Sequence, residues 1–235
     1  MLRLWLCGVT AGFSIATAAA SAAPLDILPD NAVRSASRAP HYAQYDARKA
    51  VYQPPAQHPQ AAPLGPPKVF LLRGLMNVFS LGMDDLAERI KADGIPATVT
   101  NHADADMLVN EIVTAYQAGD RGPVILIGHS LGADAVIGMA QALQRYNIPV
   151  ALAILFDGTE PHQVPGNVAT AINFTQRFNL TPGADFHGAL SNVDLSYDRG
   201  IDHFTIDKSR TLQANALNYV VLAATSAPAV SPRRP

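Results

Sequence analysis

Residues 123–139 read PVILIGHSLGADAVIGM. Val124, Ile125, Leu126 and Ile127 form an unbroken apolar run rich in branched side chains, the pattern of a strand buried on both faces of a parallel sheet. Gly128-His129-Ser130-Leu131-Gly132 follows as G-x-S-x-G. From Leu131 the apolar residues change to helical spacing, with Leu131, Ala135, Met139 and Leu143 in one row, so a helix is predicted to begin at the motif itself. A serine on a strand-to-helix turn sits in tight backbone that pushes its hydroxyl clear of the sheet. Glycines on either side keep a Cβ from colliding with the neighbouring strand or helix. The helix N-terminus adds free N–H groups and partial positive charge beside Ser130, where an oxyanion would form.

Between a buried strand and an amphipathic helix, these five residues resemble the nucleophile elbow of the α/β-hydrolase superfamily. The resemblance implies a three-layer α/β/α sandwich with a mostly parallel sheet. It also implies serine hydrolase chemistry of the esterase, lipase or thioesterase kind, and a chain order of serine, then acid, then a histidine just before the last helix.

Working outward, alternating strands and helices support that architecture. Val69–Leu72 reads as a buried strand, and Met83, Leu86, Ala87 and Ile90 mark a helix stopped at Asp93-Gly94. Ile95–Thr100 is a second strand, and Met107, Leu108, Ile112, Ala115 and Tyr116 are placed on one face of a second helix. Beyond the elbow, Val150–Phe156 and Val168–Thr175 are predicted strands, and a final helix from about Ser209 carries Leu212, Ala216, Tyr219 and Val220. The link from Phe156 to Val168 is short for a crossover between parallel strands, which usually takes a dozen or more residues. The resemblance accommodates it by reducing the usual helix to a loop, and no insertion is large enough for a lid.

The chain has 235 residues, a formal net charge of −2 and 49% hydrophobic residues, which suits one globular domain with extra segments at its ends. Near-neutral charge gives no electrostatic case for nucleic acid or an anionic membrane surface. Residues 1–22 have the layout of a cleavable signal peptide: Arg3, an apolar core over 4–15, and Ala20-Ser21-Ala22 before the cut. That core falls short of the ~20 residues a spanning helix needs, so no stable membrane span is expected after cleavage, and the mature protein is expected to be secreted or periplasmic. Cys7, the one cysteine, lies inside the leader, which leaves the mature chain without disulfides or thiolate ligands. Residues 23–67, rich in Pro and Ala, are read as a disordered linker, 68–225 as the hydrolase domain, and 226–235 as a mobile tail.

Serine needs a histidine base, and that base needs a carboxylate to hold its tautomer. His203 in Ile201-Asp202-His203-Phe204 precedes the last helix and is the candidate base, ahead of His187 and His162. His129 is read as a packing and hydrogen-bonding residue. Asp157 stands at the carboxyl end of a buried strand, where α/β sheets place functional groups. Some superfamily members carry the acid there and most carry it after the next strand, so Asp185 is the alternative acid, with Asp194, Asp198 and Asp202 behind it. Asp134 is read as a helix-start residue. The resemblance places the oxyanion hole at the N–H groups of Leu131 and Leu75, with Met76 as the other donor in the Arg73-Gly74-Leu75 loop; many relatives have His-Gly-x where this chain has Arg73. Met76, Phe79 and Leu81 are candidate walls of an acyl site.

No metal cluster, phosphate loop or dinucleotide fingerprint is present in the sequence, so no cofactor is expected. The expected partner is a small-molecule or lipid-like ester substrate, and no protein partner is named by the sequence. Two other readings use the same fold: an acyltransferase with the same triad, and a binding or scaffold protein of the cell envelope without turnover.

Overall fold

The computed structural model describes residues 65–75 and 80–225. The segments expected to be leader, linker (to residue 64) and tail (from residue 226) lie outside them, as do Met76 and Phe79.

Besides two short 3-10 turns, His102–Asp104 and Ile206–Lys208, the described residues form, in order, β1 (Lys68–Arg73), α1 (Gly82–Ala92), β2 (Ala97–Asn101), α2 (Ala105–Gln117), β3 (Val124–His129), α3 (Leu131–Gln144), β4 (Leu152–Phe156), β5 (Gln163–Val164), β6 (Thr170–Thr175), β7 (Thr181–Pro182), β8 (Ala189–Asp194) and α4 (Arg210–Thr225). Six strands form one sheet in the order β2-β1-β3-β4-β6-β8, and every pairing in it is parallel. The result is the expected three-layer α/β/α sandwich. β3, at the sheet's centre, is buried along its whole length, as a strand covered on both faces must be.

One face of the sheet packs on α2 and α3 through Leu108, Ile112, Val136, Ile137 and Ala140. The other packs on α1 and α4 through Met83, Leu86, Ile90, Leu212 and Val220. Two helix faces differ from the sequence-based assignment. In α2 the buried row is Leu108, Val109, Ile112 and Val113, and Met107 is 59% exposed. In α3 the sheet-facing row is Ala133, Val136, Ile137 and Ala140, with Met139 and Leu143 beside it. Both helices carry more apolar residues than one stripe holds, so periodicity alone left their rotation open by a residue.

β8 was not anticipated. Its sequence ALSNVD is an edge strand with most positions at least partly exposed, and it lacks the continuous apolar run of β3 or β4. The short link after β4 is a loop crossover, as is the one between β6 and β8. The two loops pair with each other: β5 and β7 make a small parallel ribbon, Gln163 opposite Thr181 and Val164 opposite Pro182. Val164, Leu180 and Phe186 from these loops pack into the α2–α3 core, doing over β6 what a crossover helix would otherwise do.

Register brings the strand ends level. His129 pairs with Phe156, and Phe156 with Phe174, so the residues following β3 and β4 emerge side by side. The rings of Phe156 and Phe174 lie 5.1 Å apart and both are fully buried beneath that edge. Truncating a buried phenylalanine of this kind costs about 3–5 kcal/mol.

Candidate active site

Ser130 follows β3 with φ 58° and ψ −126°, a conformation non-glycine residues rarely adopt. A Cβ on Gly128 would run into the Gly132 carbonyl, and one on Gly132 into the Leu72 carbonyl of β1. The turn is therefore closed by backbone-to-backbone contact that only glycine permits. The Ser130 N–H donates to the Phe156 carbonyl at 3.0 Å, tying the turn to the end of β4.

Asp157 also has positive φ, 48°, and its N–H donates to the Phe174 carbonyl at 2.8 Å. Its side chain is fully buried. One carboxylate oxygen accepts the Gln176 N–H at 3.0 Å; the other meets His203 Nδ1 at 2.7 Å. Burial pushes this carboxyl up, but the hydrogen bonds from His203 and the Gln176 N–H, with the charge of Arg177, together hold it below the usual range. His203 Nε2 then lies 3.0 Å from Ser130 Oγ. With Nδ1–H donated to the carboxylate, Nε2 carries the lone pair that faces the serine hydroxyl.

His203 arrives on a loop braced from two sides. Gln176, at the end of β6, donates from Nε2 to the Ile201 carbonyl at 2.6 Å. Asp202 Oδ1 accepts the Phe204 N–H at 2.9 Å and the Thr205 hydroxyl at 2.8 Å, which makes a compact turn and turns that carboxylate away from the histidine. The other acids weighed from sequence are used locally. Asp194 accepts the Ser196 N–H, Asp198 accepts the Gly200 N–H, and exposed Asp185 sits in a turn packed on Gly166. His187 is exposed and His162 is paired elsewhere.

Arg177 crowds the acid. Its Nη2 is 3.3 Å from Asp157 Oδ2 and 2.9 Å from His203 Nδ1. A guanidinium has no lone pair, and Nδ1–H already points at the carboxylate, so the favourable part of this contact is the ion pair with Asp157. Sequence reasoning passed over this residue.

Leu131 is the first residue of α3, so its N–H has no carbonyl partner within the helix and opens beside Ser130. The loop after β1 comes against the same turn: a Cβ on Gly74 would stand 2.9 Å from Ser130 Cβ and 3.0 Å from the His129 carbonyl. Leu75 follows on the surface, 58% exposed. Arg73 forms a two-pronged ion pair with Asp84 in the first turn of α1, one prong being Nε to Oδ2 at 2.8 Å. The loop that would supply the second oxyanion donor is thus fastened at its base.

Asp134 does more than start a helix. Its Oδ1 accepts the Thr159 N–H at 3.0 Å and meets His162 Nε2 at 2.9 Å, and its Oδ2 accepts the Thr159 hydroxyl at 2.5 Å. It therefore holds the Asp157-Gly158-Thr159 turn onto α3. A second missed residue is Ser80, buried behind the elbow and bonded to His129 Nδ1 at 2.8 Å. Below it, Asp207 accepts the Gly82 N–H at 2.9 Å and is pushed up to about 6 by burial.

Among the described residues no group of three or more His, Cys, Asp or Glu side chains is placed to hold a metal ion. No described helix is long and apolar enough to cross a membrane.

No protein-family model matches the chain, and no curated protein matches it in sequence. Among solved structures it is similar to a cutinase-like protein from Cryptococcus sp., at 16% identity and a TM-score of 0.48, covering 71% of this chain and 100% of that one. It is also similar to a hydrolase of the alpha/beta superfamily from Xanthomonas campestris pv. campestris (19% identity, TM-score 0.38, 66% of this chain and 97% of that one). A third is the RedJ thioesterase of the prodiginine pathway in Streptomyces coelicolor (12% identity, TM-score 0.42, 73% and 99%). In its own geometry the fold is a three-layer α/β/α sandwich with a parallel six-stranded sheet, whose third strand in the chain runs through a positive-φ serine turn into a helix.

Proposed function

We propose that the protein is a serine hydrolase that cleaves a carboxylic ester or thioester through Ser130, His203 and Asp157. The observation that carries this reading is the continuous chain Asp157 Oδ2 to His203 Nδ1, 2.7 Å, and His203 Nε2 to Ser130 Oγ, 3.0 Å, ending on the positive-φ serine. Ser130 Oγ attacks the carbonyl carbon while His203 Nε2 takes the hydroxyl proton, and Asp157 stabilises the imidazolium. The N–H groups of Leu131 and Leu75 receive the oxyanion. Collapse returns the proton to the departing alcohol or thiol, and a water activated by His203 releases the acid from the acyl-enzyme.

An apolar acyl group suits the rim. Leu75 lies in the oxyanion loop, Leu81 just before α1, and Phe204 next to the base with its ring 5.4 Å from that of His203; all three are more than half exposed. The leader and its small-residue cleavage site support export, with a mature N-terminus at Ala23 that Edman sequencing of exported protein would read directly.

A fluorophosphonate probe tests the chemistry. Labelling is expected on Ser130 in folded wild type and absent in Ser130→Ala, together with turnover of a short-chain aryl ester. Folded protein that neither labels nor turns over ester would leave the scaffold reading in its place. Acyl transfer to an added alcohol in preference to water would move the assignment to an acyltransferase.

A further inference from the structure

His129 sits behind the elbow, 1% exposed, and both its ring nitrogens are engaged. Nε2 lies 2.7 Å from the backbone carbonyl of His203, and Nδ1 lies 2.8 Å from Ser80 Oγ. A carbonyl only accepts, so Nε2 carries the hydrogen. Burial depresses His129 to about 4, which keeps the ring neutral and leaves Nδ1 as an acceptor. The Ser80 hydroxyl therefore donates to Nδ1, and its oxygen in turn accepts the Gly74 N–H at 2.9 Å. The donors and acceptors fit one ordered path: Gly74 N–H to Ser80, Ser80 O–H to His129, His129 N–H to the His203 carbonyl.

The two ends of that path are the two loops the reaction has to align. Gly74 adjoins Leu75, the oxyanion donor assigned above, and His203 is the base. A second link lies deeper, where Asp207, 3.9 Å from His129 Nδ1, accepts the Gly82 N–H at the start of α1; the His129 path is the one that ends on Gly74 and His203 themselves. Both loops leave the sheet at an open edge, where a drift of about 1 Å in either would lower the rate by orders of magnitude.

From this path we infer that His129 is a positioning residue that sets the oxyanion loop and the catalytic histidine loop in register with each other, with Ser80 as its relay. Its polar contacts are to a hydroxyl and a backbone carbonyl, and its ring lies tilted beside that of His203 with centroids 5.0 Å apart. The inference rests on the triad reading for its kinetic consequence, but the brace itself is a property of the fold.

The test pairs kinetics with amide hydrogen exchange on full-length protein. His129→Leu is expected to lower kcat for an aryl ester by about 10- to 100-fold with KM changed less than about threefold. Ser80→Ala, a milder change, is expected to lower kcat about tenfold. Because both cut one path, the double variant should be no slower than His129→Leu alone. His129→Gln, which can still donate to the His203 carbonyl, should recover part of the loss. In exchange, both single variants should speed the amides of 72–75 and of 201–206 together, whereas Ser130→Ala should leave them unchanged. Multiplicative losses in the double variant, a kcat within twofold of wild type in folded His129→Leu, or faster exchange in only one of the two loops would overturn the inference. Should His129→Leu not fold, Ser80→Ala decides by the same readings. A wild type without esterase activity would sink the triad reading alone, since the paired change in exchange stands without turnover.

Discussion

Two histidine–carboxylate pairs lie on either side of Gly158. His203 meets Asp157 at 2.7 Å and His162 meets Asp134 at 2.9 Å. Both carboxyls are pushed up by burial and brought below the usual range by the hydrogen bonds they accept. By distance they are near twins, although Arg177 stands 3.3 Å from Asp157 and Glu160 3.8 Å from His162. They differ in what lies beyond the ring. The second nitrogen of His203 faces a serine hydroxyl held on strained backbone, whereas among the described residues no hydroxyl is bonded to the second nitrogen of His162. What the carboxylates hold does not separate them: Asp134 accepts the Thr159 N–H and hydroxyl, and Asp157 the Gln176 N–H at 3.0 Å and the Thr175 hydroxyl at 3.4 Å. A buried histidine–aspartate contact is thus no signature of catalysis by itself. The third group, and the backbone that aims it, make the difference.

The largest expected effect tests that third group. Ser130→Ala should reduce ester turnover by about 10⁴-fold or more while circular dichroism and melting temperature stay near wild type. Residual activity within a hundredfold would mean that the elbow is not the source of the chemistry. Next, Asp157→Asn should lower kcat about 10³- to 10⁴-fold, because an amide cannot hold the Nδ1–H tautomer or stabilise the imidazolium. Asp134→Asn, measured beside it, should cost less than about tenfold, and equal losses would erase the distinction between the pairs.

Asp134→Ala should register in stability, lowering the unfolding free energy by about 1–3 kcal/mol at neutral pH as the Thr159 N–H and hydroxyl lose their acceptor. The sign with pH follows from its lowered pKa. The folded carboxylate gives up its proton more readily than the unfolded one, so the contribution is complete above the ordinary value of 3.8 and is lost as pH falls through the folded value. Urea midpoints of wild type and variant should therefore converge in acid, and a gap that widens there would contradict the assignment. The smallest effect concerns Arg177. Its charge offsets part of the Asp157 charge that the imidazolium needs, so Arg177→Gln should raise kcat/KM for a neutral ester about two- to fivefold, and less at high salt. A fall instead would assign Arg177 to substrate contact.

Much of this architecture was legible because the central strands are chemically extreme. Val124–Ile127 and Leu152–Phe156 contain nothing but apolar residues, and the glycines at 128 and 132 mark a turn that no other side chain fits. Ser130 and His203 could be marked by motif and by position before α4. For the carboxylate that meets His203, the sequence puts Asp157 first from its place at the end of a buried strand but leaves Asp185 open, because only sheet register levels Asp157 with Ser130, and register is not a local property. β8 escaped for the same kind of reason: an edge strand need not be apolar, so Ala189–Asp194 reads as loop. Ser80, Arg177 and Asp134 carry ordinary surface chemistry in sequence, and their parts emerge only once distant segments meet.

The Asp134 brace also bears on where this scaffold could accept new chain. Thr159 and His162 are pinned to α3 by that one carboxylate, and a few residues on Asn167 is pinned by its amide to the carbonyls of Ala140 and Ile148. Between the first two anchors, Glu160 and Pro161 are exposed. A segment grafted at that point would start from a platform already immobilised on both sides and tied through Asp134 to the first turn of α3. For an engineer wanting to cap the open rim or change which acyl groups enter it, Glu160–Pro161 is the insertion point that leaves the sheet untouched.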